Sequence, residues 1–224
     1  MPAIAVSPLA LLGLGFVLGL RHAMDPDHVV AVAAITARTR RWLPAALLGA
    51  AWGAGHTLTV WGVGAVIILF NVVVPPRLGL ALEFAVALAL ILVGLDNLRH
   101  EPHSGTGLGS GRERPPARRA FLVGLVHGLA GSAAVALLVL ATVHDTRWAC
   151  AYLGVFALGT LAGMALVTTG LSLPLAMLTA RFPASPRVLR WSTGALSLGF
   201  GVWLAWQLGW QDGLFSAVPR WTPH

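Results

Sequence analysis

Lysine is absent, cysteine occurs once, and charged residues make up only 10% of the chain. Each shortage excludes something. The single cysteine, Cys150, rules out a disulfide framework and a Cys-x-x-Cys thiol relay; beside an apolar run it reads as a packing residue. A soluble domain would carry about a quarter charged residues, so a water-facing globular surface is excluded. The net charge of +7 and the isoelectric point near 11.6 come entirely from arginine. Those arginines gather between apolar runs, where the positive-inside rule accounts for them, and no nucleic-acid partner is implied. The N-terminal stretch also lacks the charged segment and cleavage site of a signal peptide, and reads as mature sequence.

What remains is grease and glycine. Hydrophobic residues make up 57% of the 224, 26 are glycine, and the mean hydropathy is +0.78. Several apolar runs reach the roughly 20 residues that a membrane helix needs. The pattern predicts an all-α polytopic membrane bundle of six spans: 8–38 (interrupted), 43–70, 78–98, 119–142, 149–178 and 188–210. Eleven arginines fall in alternate loops and only three in the opposite set. That asymmetry predicts a multi-pass protein of the cytoplasmic membrane with both termini outside and the Gly/Pro/Ser-rich linker 100–118 in the cytoplasm. Trp203, Trp206, Trp210 and Trp221 read as an interfacial aromatic anchor.

The chain also matches itself. Phe16 to Ala23 aligns with Phe121 to Gly128 at a spacing of 105, pairing His22 with His127, and Trp52 to Gly55 aligns with Phe156 to Gly159 at a spacing of 104. The division predicted is a first three-helix repeat at 1–99, the linker at 100–118 and a second repeat at 119–224. An odd number of spans per copy makes the copies inverted. Many secondary transporters share that plan, with their sites at broken helices near midplane and one repeat rocking against the other.

The densest polar segment is RHAMDPDH at 21–28, between two apolar runs. Pro26 lacks an amide hydrogen and disfavours helix before it, so Asp25-Pro26 reads as a cap and first helical residue. The first span is therefore predicted to break at 23–26, deep in the bilayer. At 100° per residue an unbroken helix would aim His22 about 140° from Asp27 and about 120° from His28; a break lets the three converge. Two imidazoles and a carboxylate suit a divalent first-row metal, and no soft ligand cluster favours copper(I). Charged groups at this depth usually mark pathways. Asp25 is as well suited to capping as to ligation. Arg21 reads as a charge partner, of Asp25 at i+4, or as a gate. His56, in the glycine-flanked run Gly53 to Thr57, is the next ligand, with Thr57 to bond it or line the path. His127 is a transit site or a structural hydrogen-bonding group, and Ser132 lies beyond it in the same polar run.

These residues resemble a known family. His22-x4-Asp27-His28 within RHAMDPDHVVAV is similar to the His-x4-Asp-His signature of the nickel/cobalt transporter family, and GAGHT at 53–57 resembles its Gly-His-Ser/Thr motif. His127 to Ser132 and LGTLAGM at 158–164 look like a short six-span branch often labelled a urease-accessory membrane protein. The resemblance implies a permease for Ni2+ or Co2+ that uses His22, Asp27, His28 and His56. It implies no enzyme activity and no permanent cofactor, and its partners are the metal ion, the lipid bilayer and, in some settings, urease or hydrogenase maturation proteins. Two departures stand out: Pro26 replaces the usual small residue between the aspartates, and the family's acidic Asp-Thr-x-x-Glu motif is missing near Gly159 to Gly163. Two rivals remain. One is a non-transporting membrane protein that hands nickel to metalloenzyme assembly. The other is an intramembrane serine hydrolase with Ser132 as nucleophile and His56 or His127 as its base.

Overall fold

A computed structural model of the chain describes residues 7–36, 42–70, 74–99, 117–129, 143, 145–181 and 185–221. Helices α1 (Pro8–His22), α2 (Pro26–Thr36), α3 (Trp42–Phe70), α4 (Pro76–Arg99), α5 (117–129), α6 (Thr146–Arg181) and α7 (Ser185–Trp206) follow in order, and no strand occurs among the described residues. A π-helical turn, Gln207–Gln211, ends α7. The later part of the fourth expected span and most of the expected linker, 100–116, lie outside the described residues, and α5 already begins at 117.

Helix ends follow local chemistry. Ser7 caps α1 by accepting the Ala10 amide hydrogen, with Pro8 in the first turn. Asp145 does the same for α6, its carboxylate accepting from the Arg147 amide. The first span is interrupted where Asp25-Pro26 stands: α1 closes at His22, a turn occupies 23–25, and α2 opens at Pro26.

Three of the helices are each long and apolar enough to cross a membrane: Leu43–Phe70, Pro76–Arg99 and Thr146–Pro174. Two shorter apolar pieces, Leu9–His22 and Pro26–Thr36, make up the broken span. The surface agrees. Leu43, Leu47, Leu58, Trp61, Val66 and Leu69 of α3 are all exposed, as are Leu88 and Leu92 of α4 and Leu158, Leu166 and Leu173 of α6. Apolar exposure on this scale would aggregate in water. Hydroxyls inside the helices are satisfied internally, as lipid requires: Thr59, Thr160, Thr168 and Thr193 each donate to the carbonyl four residues back. The protein is an all-helical membrane protein.

Glycine sets the closest approaches, because a Cβ there would strike a neighbouring backbone. Gly19 of α1 lies on Phe156 and Thr160 of α6, and Gly159 of α6 lies on Phe16 of α1. Gly55 of α3 lies on Phe121 and Leu125 of α5, and Gly124 of α5 on Trp52 and His56 of α3. Gly163 meets Ala23, while Gly128 meets His56 and Thr59. A Thr59 hydroxyl also bonds the Leu125 carbonyl at 3.1 Å. Helices α1, α3, α5 and α6 thus form one tightly bound group, with α6 also packed along α3. Helices α4 and α7 form a second group, joined by Gly94 on Gly194 and Leu198 and by a Ser197 hydroxyl donating to the Leu90 carbonyl at 2.8 Å. Helix α2, which carries Asp27 and His28, touches both groups. Asn97 near the end of α4 is buried and donates to the Ala34 carbonyl at 2.7 Å, tying α2 to the second group.

Candidate metal centre

Helix α1 delivers His22 at its last residue, and the three-residue turn reverses what an unbroken helix would do. Helix α2 then presents Asp27 and His28 in its first turn. Helix α3 brings His56 and α5 brings His127, through the glycine contacts that seat α5 on α3. The four imidazoles gather closely. Ring centroids are 4.7 Å apart for His22 and His28, 4.9 Å for His28 and His56, 4.6 Å for His28 and His127, and 5.3 Å for His22 and His56.

Two overlapping sets have donor atoms within 4.8 Å of one another: His22, His28 and His56, and Asp27, His28 and His127. Polar neighbours orient the ligands. His22 Nδ1 donates to Asp25 Oδ2 at 2.8 Å, which leaves His22 Nε2 with its lone pair facing His56 Nε2 at 3.3 Å. A carboxylate on one ring nitrogen, turning the other toward a cation, is the usual outer-shell support of a metal-binding histidine. His127 Nε2 donates to Asp27 Oδ2 at 2.8 Å. Asp27 Oδ1 is 3.3 Å from His28 Nδ1 but out of hydrogen-bond alignment, so both ring nitrogens of His28 are buried with no hydrogen-bond partner, as is His56 Nδ1. Leaving such a group unsatisfied costs about 1–3 kcal/mol, a cost that a bound cation would remove.

The centre opens onto a cavity of about 400 Å³, lined on its other side by Glu83 and Val86 of α4 and by Phe200, Trp203, Leu204 and Gln207. At about 30 Å³ per water, that space holds on the order of ten waters, enough for a hydrated ion beside its ligands. The cavity lies where the two helix groups face each other.

Not every expected residue lies here. Arg21 is exposed on α1 and does not line the cavity; the Asp25 carboxylate bonds His22 instead, because the chain leaves the helix at 23–25 and an i, i+4 pairing no longer applies. Asp25 thus orients a candidate ligand, His22, while its carbonyl accepts the Val29 amide to start α2. Thr57 donates to the Ala157 carbonyl of α6 at 3.3 Å and so fastens helices. Ser132 lies outside the described residues. Trp203, Trp206 and Trp210 are exposed, but Trp221 is no surface anchor. Its ring covers Gly79 and its Nε1 donates to Glu83 Oε1 at 2.8 Å. Cys150 packs beside Tyr152, Leu153 and Phe156.

Three cavity or cluster residues carry signals that ligand spacing does not reveal. Glu83 is the one carboxylate in the apolar run 78–95, and an acid in such a run marks itself. Gln207 begins the π-helical turn, a feature frequent at functional sites. Trp52, fully buried with an unpartnered indole N–H, packs edge-on to His28 and His127 at centroid distances of 5.5 and 5.4 Å; its type alone suggests only core.

The urease accessory protein UreH of Bacillus sp. (strain TB-90) is 36% identical to this chain over 223 aligned residues, spanning 94% of the chain and 97% of UreH. The chain belongs to the UreH family. No protein-family profile matches it, and no solved structure does. The match of this UreH-family chain thus runs over nearly all of both proteins.

Proposed function

We propose that this UreH-family chain is a membrane permease for a divalent transition metal ion, Ni2+ or Co2+, of the nickel/cobalt transporter type, and not an enzyme. One observation carries the reading: three imidazoles on three different helices, those of His28 and His56 buried, bring ring nitrogens within 4.8 Å of one another, and neither nitrogen of His28 has a hydrogen-bond partner. Imidazole and carboxylate donors suit Ni2+ and Co2+. His22, His28 and His56 bind the ion, Asp27 supplies the charge that offsets its own, and Asp25 fixes His22. The urease connection in the relative's name makes nickel the favoured cargo and urease maturation its destination.

The ion reaches the cavity hydrated, exchanges water for imidazole, and leaves on the other side when the helices reseat. The glycine pairs support an inverted duplication. Under the 104 and 105 spacings, Gly19 on Phe156 becomes Gly124 on Trp52, and Gly159 on Phe16 becomes Gly55 on Phe121. They also favour a seam other than the rocking of one repeat against the other. Helices α1 and α3 are interlocked with α6 and α5 at backbone contact, so the four move as one body. The α4–α7 pair moves against them, with α2 between.

The test is flux. Purified protein in liposomes should accumulate Ni2+ or Co2+ with no added partner, and His28→Ala should abolish it. Metal binding without flux would favour the second reading, a non-transporting protein that hands nickel to urease assembly, which the relative's name also accommodates.

A further inference from the structure

Resting on the permease reading, we propose that the centre is two successive cation stations joined by His28. The first is His22, His28 and His56; the second is Asp27, His28 and His127.

The geometry points this way for four reasons. The two donor sets share His28 and nothing else. The His28 ring stands almost midway between the two histidines that correspond by repeat, 4.7 Å from His22 and 4.6 Å from His127 between centroids. An imidazole can give only one nitrogen to a given ion, yet both nitrogens of His28 are buried without a hydrogen-bond partner. One of them is already 3.3 Å from the Asp27 carboxylate of the second set. Finally, the His56 and His127 rings stand 6.0 Å apart, farther from each other than either is from His28, and each belongs to only one set.

The stations also differ chemically. Three nitrogens make the first a neutral, softer site, whereas the carboxylate makes the second harder and anionic. Conduction needs sites that bind well enough to admit an ion but in sufficient number to release it. A ring common to both stations offers the cation a nitrogen on either side; as it passes, the vacated His28 nitrogen takes up a proton from cavity water and the newly bound one gives its own up. The ion takes the place of the proton that His127 Nε2 now directs at Asp27, and that proton leaves to cavity water.

The test uses the full chain in detergent and in liposomes, with Co2+ as probe, reading its visible d–d absorption, its binding affinity and its flux. His56→Ala touches the first station alone. His127→Gln touches the second alone and keeps a donor for Asp27, so a purely structural role would be rescued. For His127→Gln the expected result is Co2+ binding with the wild-type spectrum and affinity, and flux reduced by about tenfold or more, a loss of the size seen when metal-site support is removed. His56→Ala should still bind Co2+, more weakly and with a shifted band, and the double variant should not bind. The proposal is overturned if both single variants shift the same band and weaken binding alike, which indicates one five-ligand centre. It is also overturned if His127→Gln transports at the wild-type rate. Should wild type bind Co2+ without moving it, the permease reading fails, and the spectra still decide between one station and two.

Discussion

Gly128 follows His127 on α5, and its missing side chain is where α5 rests on α3. A Cβ added there would lie 2.5 Å from the His56 carbonyl oxygen, 2.9 Å from Thr59 Cβ and 3.0 Å from His56 Cα. A carbon needs about 3.3 Å from a carbonyl oxygen, so Gly128→Ala must push the two helices apart by about 0.8 Å. The obstacle is backbone, which cannot swing aside as a side chain would. Overpacking of this kind costs about 1–3 kcal/mol. The displacement falls between His56 and His127, whose rings must stay within reach of His28. A misplacement of about 1 Å at a site can cost about a hundredfold in rate, so Co2+ flux into liposomes should drop by tens-fold. Gly62→Ala is the control: it is on the same helix as His56 and a Cβ there meets nothing within 4 Å. It should leave flux unchanged and stabilise α3 by about 0.5–1 kcal/mol. Equal flux from the two variants would refute the claim that the α3–α5 contact sets the geometry of the centre.

Glu83→Gln should slow Co2+ capture and flatten its dependence on ionic strength in stopped-flow binding, since a cavity carboxylate concentrates cations by a screened field. Affinity measured by dialysis should weaken in acid, because a proton and a metal ion compete for the same imidazole lone pair. Asn97→Ala removes the buried donor to the Ala34 carbonyl, and should cost about 1–3 kcal/mol, read as a lower Tm.

Chemistry that is local in the chain was legible from the residues. Asp25-Pro26 forecast the interruption after His22, and that interruption brings the His22 and His28 rings to 4.7 Å, whereas Asp27 turns to His127 rather than to His22. Pairing Arg21 with Asp25 followed from helical spacing and missed because the turn at 23–25 abolishes that spacing. What came from distant parts of the chain was harder to see. Asp27 meets His127 across 100 positions, Trp221 finds Glu83 across 138, and a tryptophan near a run of apolar residues reads equally well as lipid anchor or as latch. The grouping of the helices was beyond reach for the same reason: the close glycine contacts that decide which ones pack together join residues in separate helices, far apart in the chain.

The embrace of α1 by α6 has a consequence for biosynthesis. Phe156 and Thr160, against which Gly19 rests, are translated some 140 residues after it; at about 5–20 residues per second the newborn first helix waits about 7–28 s for its partner. Throughout that interval His22 has its neighbours Asp27 and His28 but no closed chamber around them. Any nickel met early would find a loose chelate on a half-made chain, and a tight one only once the ribosome has passed the sixth helix.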